Sequence, residues 1–380
     1  MRVMISCGEA SGDLYAGALA AELRARLPSI DIVGFGGRRL QAAGATLTGD
    51  FTGLTVTGLT EVVRVLPQSW RMYRRLVSDA RARRPDVLVA IDFSGFNFRL
   101  MAALRRLGVT IVYYVSPQLW AWRPRRMETM KRCVDRVLVI FPFEAPLYER
   151  AGVPVQFVGH PLVDLARAEQ PRSVLLPGLG LRADAPTVAL LPGSRPNELR
   201  RIAPGMASAL PLIRAHVPDA QFVVARAPSL PDDLFAPFRT DAVIVDDRTD
   251  DVLAASDVVI TASGTATVQA ALHGRPMVVV YRLSPLTYRL GKSFVNVDMY
   301  AMVNLVAGRR IVPELIQNDF TPERVAEETI ALLTSTERHA QMREALEGVR
   351  GRLGAPGASG RAADAILEVA ARGRRGLRSA

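Results

Sequence analysis

Val87-Leu88-Val89-Ala90-Ile91-Asp92-Phe93-Ser94-Gly95-Phe96-Asn97 is the stretch on which the reading of this 380-residue chain turns. Five consecutive apolar residues without alternation suit a strand buried on both faces, and such strands belong to parallel sheets. A carboxylate, Asp92, stands where the strand stops, and helical patterning follows over Phe98–Leu107. The same rhythm extends outward on both sides. Val3–Ser6, Ile32–Gly34, Thr110–Tyr114, Arg136–Ile140 and Val155–Val158 read as further strands, with helices over Asp13–Arg26, Thr60–Arg83 and Pro124–Arg132. This alternation predicts an α/β fold built on a doubly wound sheet.

From Asp164 to Ala185 the rhythm breaks on Pro171, Pro177, Gly178 and Gly180, with Pro186 just beyond. The spacing of these breakers predicts a linker over 166–186. The strand pattern then restarts with Thr187–Leu191, Gln221–Ala225, Ala242–Val245, Val258–Thr261 and Met277–Tyr281. Helices are expected over Pro322–Arg352 and Gly360–Ala371, before a basic tail. The expected architecture is two Rossmann-like domains, 1–165 and 187–352, facing a cleft, with the C-terminal residues 353–380 packing back. Ligands of open α/β sheets bind beyond the carboxyl ends of the strands. Residues directly after strands therefore carry the most information.

Composition narrows the classes. The chain holds 48 Lys and Arg against 37 Asp and Glu, a formal charge of +11, and only Lys131 and Lys292 are lysines. Such an arginine excess is either compositional bias or an attraction for anions. No zinc-finger spacing and no basic region leading into heptads occurs, so nucleic acid is not an expected partner. Two cysteines, Cys7 and Cys133, form no CxxC pair, which suits a reduced, cytoplasmic protein. No run of 18 apolar residues and no signal-like N-terminal stretch is present, so no membrane span is expected. His160, His216, His273 and His339 are scattered and no Asp-X-Asp occurs, so neither a metal nor another cofactor is expected.

Several segments after strands can carry chemistry. Gly8-Glu9-Ala10-Ser11-Gly12-Asp13 follows the first strand, and its two glycines permit a tight turn close to a ligand. It is not a dinucleotide fingerprint, and a plain strand-to-helix turn is an equal reading. Asp92 can take a proton from a hydroxyl or cap the following helix, and Asn97 lies one turn beyond it. Tyr113-Tyr114-Val115-Ser116-Pro117-Gln118-Leu119-Trp120-Ala121-Trp122-Arg123 sets two of the three tryptophans before Arg123, Arg125 and Arg126. Gln118, Trp120, Trp122 and Arg123 suit a greasy, phosphorylated sugar, or they simply pack the domain edge.

In the second half, Leu191-Pro192-Gly193-Ser194-Arg195-Pro196-Asn197-Glu198 offers Ser194, Arg195 and Glu198, with Arg195 able to grip phosphate oxygens. Thr261-Ala262-Ser263-Gly264-Thr265-Ala266-Thr267-Val268-Gln269 ends a strand and opens a helix on small residues. Ser263, Gly264 and Thr265 there form a ready anion site, and Gln269 can reach a ribose hydroxyl. Asn304 and Glu314 interrupt an apolar stretch, as pocket-lining residues do, although a cap or a surface position fits equally. Val62, Val63, Leu66, Trp70 and Tyr73 recur at near-helical spacing, flanked by Arg64, Arg71, Arg74 and Arg75. That stripe is either core or a membrane contact, and Pro67 predicts a kinked or two-part element.

GEASGD, IDFSGFN, YYVSPQLWAWR, VLVIFPFE, VGHPL, LLPGSRPNE, ASGTATVQAAL and PMVVVYR occur in this order. Together they closely resemble the lipid-A-disaccharide synthase family, glycosyltransferase family 19, over nearly the whole chain. The resemblance implies a GT-B fold. It implies transfer from UDP-2,3-diacylglucosamine to 2,3-diacylglucosamine 1-phosphate, giving a β(1→6) disaccharide and UDP, at the cytoplasmic face of the inner membrane in Gram-negative bacteria. It further implies Asp92 as general base, Arg195, the Ser263–Thr267 turn and Asn304 on the nucleotide side, and a homodimer paired through the C-terminal region. Ser94 stands where the family usually has proline, Gln269 where it has glutamate and Thr57 where it has methionine. The loss of charge at Gln269 predicts a weaker or differently arranged ribose contact. Two other readings compete. One is a different UDP-sugar enzyme of the same fold, a UDP-N-acetylglucosamine 2-epimerase or the peptidoglycan N-acetylglucosaminyltransferase. The other is a non-catalytic protein that binds membrane surfaces.

Overall fold

The computed structural model describes residues 1–51, 59–117, 126–227, 230–283 and 299–378, with the backbone alone for 59–65 and 374–378. The chain forms two compact units, Met1–Pro161 with Leu353–Ala380, and Leu162–Arg352.

The first unit is built on β1 (Arg2–Cys7), β2 (Asp31–Gly36), β3 (Thr46–Asp50), β4 (Val87–Ile91), β5 (Thr110–Tyr114), β6 (Arg136–Val139) and β7 (Val155–Phe157). They lie in the order β3-β2-β1-β4-β5-β6-β7, and every neighbouring pair runs parallel. The chain runs outward from β1 to β3, then returns to start again at β4. The switch point thus falls between β1 and β4, where open α/β sheets bind their ligands. Cys7 pairs with Ile91 and Ile91 with Tyr114, so Gly8, Asp92 and Val115 leave the sheet side by side.

The second unit repeats the plan with β8 (Thr187–Leu191), β9 (Gln221–Arg226), β10 (Val243–Asp246), β11 (Val258–Ala262), β12 (Met277–Tyr281) and β13 (Glu314–Ile316), in the order β10-β9-β8-β11-β12-β13. Its switch point lies between β8 and β11, where Leu191 pairs with Thr261. The uninterrupted apolar runs of β4, β5, β8 and β11 are buried along their whole length, as helices on both faces require. β3 and β13 are the two edge strands that periodicity does not announce. One is polar and half-exposed, and the other is three residues long.

Two segments differ in detail from the reading of the sequence. Residues 166–186 are docked on the second unit. The helix Arg172–Gly178 buries Leu175 and Leu176, and Arg172 donates to Ala183 O at 2.9 Å, Ala185 O at 2.7 Å and Asp257 Oδ1 at 2.8 Å. Asp251 Oδ1 accepts from Glu169 N and Gln170 N at 2.6 and 3.0 Å. The prolines and glycines that suggest a linker bracket this helix instead: Pro171 precedes it, and Gly180 turns out of it with φ 75°. Leu59–Arg83 is one helix that runs through Pro67. Proline there forgoes a single backbone bond, and the helix continues past it.

The helix Ala358–Arg378 covers the first unit, against the helix Ala10–Arg26 and β5. Ala362, Ala363 and Ile366 are fully buried, and their small side chains allow close approach. Leu353 O accepts from His160 N at 2.8 Å, and Arg361 Nε donates to Val158 O at 2.8 Å. Arg136 pairs with Glu368 at 2.8 Å. Removing 353–380 takes away the buried Leu353, Ile366, Val369 and five buried alanines, a loss of about 5 kcal/mol or more. That is comparable to a whole domain's stability. A chain ending at Arg352 is expected to lose one calorimetric transition and keep the transition of the second unit; two retained transitions would contradict this.

Candidate active site

Asn97 is fully buried and ties the ends of the two central strands of the first unit together. Its Oδ1 accepts from Ser6 Oγ at 2.7 Å. Its Nδ2 donates to Ser6 O at 3.2 Å, Ile91 O at 3.2 Å and Asp92 O at 2.9 Å. Tyr113 Oη also donates to Asp92 O, at 2.7 Å. These bonds hold Asp92 and Phe93 at φ 42° and 43°, the left-handed region that L residues seldom occupy. The cap position of the helix Ser94–Arg105 is Phe93, so Asp92 stands one residue ahead of it. The Phe93 ring stacks on Phe96 at 5.3 Å and Phe35 at 6.3 Å. It also fills the space beside Gly8, where a Cβ would meet it at 2.2 Å. Glycine at position 8 is therefore a packing requirement.

The rest of the first loop has mixed duties. Glu9 precedes the helix Ala10–Arg26 without a side-chain cap, Ser11 is half-buried and Gly12 is buried against Cys7 Cβ. Asp13 is a frame residue: its carboxylate accepts from Gly37 N at 2.7 Å, Arg39 N at 2.9 Å and Leu40 N at 3.1 Å. Gln118, Trp120, Trp122 and Arg123 lie outside the described residues. Arg126 donates to Ser94 Oγ at 3.3 Å and lies over the Phe98 ring.

Glu144 belongs to a motif visible in the sequence, but nothing singles out its carboxylate there. It is buried beside Ser116 and Tyr148, and burial is the largest of the effects that push its carboxyl up to about 8.

In the second unit, Ser194 N donates to Glu198 Oε2 at 3.0 Å. Gly193 has φ 128°, and a Cβ there would meet that same carboxylate at 2.5 Å. Arg195 caps the helix Pro196–His216 in extended conformation. Burial, and next the charge of Glu198, push the Tyr281 hydroxyl up, while Arg195 and Arg201 pull it down. These four residues therefore share one electrostatic site.

Ser263 to Thr265 begin the helix Thr265–Leu272, with Gly264 at φ 147° and open space where its Cβ would be. Such a helix start presents N–H groups to an anion. Because β8 and β11 are neighbours, this turn lies beside the Ser194–Glu198 turn. Gln269 Nε2 donates to Asp250 Oδ1 at 3.4 Å, and the same oxygen is 2.9 Å from His273 Nε2.

Asn304 and Glu314 meet each other. Asn304 Nδ2 donates to Glu314 Oε1 at 2.7 Å and Val312 O at 3.1 Å, while its Oδ1 accepts from Ile311 N and Val312 N. Glu314 also accepts from Tyr300 N and Ala301 N, and Ser263 Oγ donates to Tyr300 O at 2.9 Å. Ser263, Tyr300, Glu314 and Asn304 thus form one chain of contacts.

Two Rossmann-like units with polar clusters behind their strand ends define a protein of the GT-B class. Solved structures share this fold. UDP-GlcNAc 2-epimerase from Neisseria meningitidis, bound to UDP-GlcNAc, superposes with a TM-score of 0.67 at 12% identity, covering 97% of this chain and 100% of that one. A calicheamicin glycosyltransferase superposes with a TM-score of 0.61 at 16% identity, covering 98% of each. At such identities the likeness is one of fold. Sequence carries the particular family. The family model described as lipid-A-disaccharide synthetase matches residues 3–366. The lipid-A-disaccharide synthase of Myxococcus xanthus is 43% identical over 377 residues, 98% of each chain. That of Geobacter sulfurreducens is 41% identical over 372 residues, 97% of each. The chain belongs to the lipid-A-disaccharide synthase family and is a glycosyltransferase.

Asn304→Ala orphans two buried amides and one carbonyl, each worth about 1–3 kcal/mol when left unpaired, less whatever water recovers. The expected loss is about 2–4 kcal/mol from the second unit, read as a lower urea midpoint. An unchanged midpoint would show that the network does not hold this region.

Proposed function

We propose that the chain joins UDP-2,3-diacylglucosamine to 2,3-diacylglucosamine 1-phosphate with inversion, forming the β(1→6) disaccharide 1-phosphate and releasing UDP. The observation that carries this reading is Asp92, a carboxylate-bearing residue set just past the central strand β4 on a backbone locked by Asn97 and Tyr113. In the proposed step Asp92 takes the proton of the acceptor's 6-hydroxyl as that oxygen bonds to the donor's anomeric carbon. The bond from that carbon to the diphosphate breaks, and UDP leaves with the electron pair. Arg195 and the helix start at Ser263–Thr265 meet the growing negative charge.

Glu198 serves this site by holding the Ser194 amide, and Asn304 with Glu314 serves it by fixing Tyr300 against Ser263. Gln269, tied to Asp250, is assigned to the ribose. Gly8, Glu9, Ser11 and Gly12, with Gln118, Trp120, Trp122 and Arg123, are assigned to the acceptor. Family membership favours transfer over the epimerase reading, because epimerases match only in fold. Asp92→Asn removes the proton acceptor and keeps the shape, so kcat is expected to fall about 10²–10⁴-fold with UDP affinity unchanged. Arg195→Ala is expected to do the reverse, weakening UDP about tenfold in calorimetric titration. Near-normal turnover in Asp92→Asn would remove it as the base.

We also propose that the protein docks on the cytoplasmic face of the inner membrane, where diacylated sugars are presented, and that two chains pair through the C-terminal region. No helix among the described residues is long and apolar enough to cross a membrane. The helix Leu59–Arg83 supports docking. Its later residues Leu76 and Ala80 are buried and Tyr73 packs partly on the core, whereas Leu66 and Trp70 are 43% and 53% exposed. Val62 and Val63 lie outside the residues whose side chains are described. Replacing Leu66 and Trp70 with serine is expected to leave the melting temperature unchanged and to cut sedimentation with anionic liposomes several-fold. Undiminished sedimentation would place the anchor elsewhere.

A further inference from the structure

β6 ends at Val139, and Ile140-Phe141-Pro142-Phe143-Glu144 carries the chain into the helix Ala145–Arg150. Glu144 Oε2 accepts from Phe141 N at 3.2 Å, and Oε1 lies 3.2 Å from Ser116 Oγ. The same Ser116 Oγ is 2.9 Å from Tyr148 Oη and 3.2 Å from Pro117 O. A hydroxyl has one hydrogen to give and two lone pairs to share. Pro117 O can only accept. All three neighbours are satisfied together when Ser116 donates to Pro117 O and accepts from both Tyr148 and Glu144. Glu144 can donate only while it carries its proton.

The surroundings keep that proton in place at neutral pH. Burial pushes the carboxyl up to about 8, and the charge of Asp92 adds to the rise, against the hydrogen bonds that the ionised form would accept from Phe141, Ser116 and Ile140. The other groups around it do not change charge in this range. Tyr148 is pushed up by burial, as is Tyr113, which Asp92 raises further and Arg126 lowers. His160, packed on the Phe141 ring, is pulled down to about 3 by burial.

The strand end held in this way is strained. Val115 has φ 59°, a left-handed conformation that a β-branched residue adopts only when its surroundings impose it. It is fastened by Val115 N donating to Leu138 O at 3.1 Å, and Ser116 and Pro117 follow directly. β5 is the neighbour of β4, so this turn borders Asp92.

We propose that Glu144, acting through Ser116, is a positioning residue for the acceptor-side strand end Val115–Pro117, and that it does this only in its protonated form. This rests on the reading that the acceptor is handled beyond β4 and β5. Once Glu144 ionises, its carboxylate draws the single Ser116 hydrogen. Pro117 O then loses its donor, and the turn that borders the base loosens.

Kinetics of the full chain from pH 6 to 9.5, with both diacylated substrates, test this. In the parent, the KM for the acceptor is expected to rise about five- to tenfold through pH 8, the worth of one hydrogen bond. Glu144→Gln, whose amide donates to Ser116 at every pH, is expected to keep that KM low and flat. Ser116→Ala and Glu144→Ala are expected to show the raised KM throughout, with UDP affinity unchanged in every variant. Thermal stability supplies a second readout. The folded carboxyl titrates above its unfolded value, so its contribution is full below about pH 4.5 and is lost as pH rises toward 8. Glu144→Gln is therefore expected to gain on the parent in melting temperature between pH 5 and 8. An alkaline limb that persists in Glu144→Gln, an unchanged acceptor KM in Ser116→Ala, or kcat and both KM values shifting together with a lower melting temperature would overturn the role of Glu144. A limb that vanishes in Glu144→Gln but falls on the donor KM would overturn the acceptor reading instead.

Discussion

Asn97 gives one buried amide to three carbonyls, and the first unit depends on that contact. A parallel strand that reaches the sheet edge leaves its last carbonyls without ladder partners, and a buried carbonyl left alone costs about 1–3 kcal/mol. Asn97 satisfies the ends of β1 and β4 together, with Ser6 closing the loop on Oδ1. The left-handed pair Asp92–Phe93 costs about 1–3 kcal/mol per residue. It persists because Asn97, Tyr113 and the stacked rings of Phe35, Phe93 and Phe96 leave it no alternative. Strain at Asp92 and absence of a side chain at Gly8 are two consequences of the same packing.

The second unit reaches the same end with carboxylates. Glu198 holds the Ser194 amide, and Glu314 holds those of Tyr300 and Ala301. Asn304 spends its whole amide on the frame. Acids and amides beside the proposed diphosphate site thus bond mainly to backbone, which would leave arginine and helix starts to meet the ligand. A negative group so close to an anion is tolerable because its charge is already shared among N–H donors.

Much of this was legible in the sequence. Long apolar runs announced eleven of the thirteen strands among the described residues, because parallel strands covered on both faces have no polar side to confuse the pattern. β3 and β13 escaped because edge strands need not be apolar, and three residues show no period. Asp92, Arg195 and the Ser263 turn stand out as candidates from the sequence because each lies just beyond a strand end. Asp13 and Glu144 do not. A carboxylate in a glycine-rich loop and one after a Phe-Pro-Phe turn look like any others until three amides, or a serine and burial, surround them. The residues read as a linker show the reverse failure, since proline and glycine bracket a docked helix as readily as a free strand of chain.

The arginine excess, ambiguous as a total, becomes informative once its partners are known. Arg26, Arg105, Arg136, Arg172, Arg214 and Arg226 each sit against carboxylates, so they add little field beyond their own surface. Arg71, Arg74 and Arg75 form no ion pair among the described residues. They share a helix with the exposed Leu66 and Trp70. Screening confines exposed charge to about 10 Å at ordinary salt, so position matters more than the sum. Near an anionic surface each such arginine contributes about 1 kcal/mol, and the two apolar side chains add burial that no charge alone provides. Cations without an ion pair among the described residues, beside unburied apolar side chains, suit a lipid surface better than a free nucleotide, which offers charge but no hydrocarbon. In the proposed reaction the diphosphate falls to a different arginine, Arg195, on the other unit, which would divide the positive charge of this chain between two tasks.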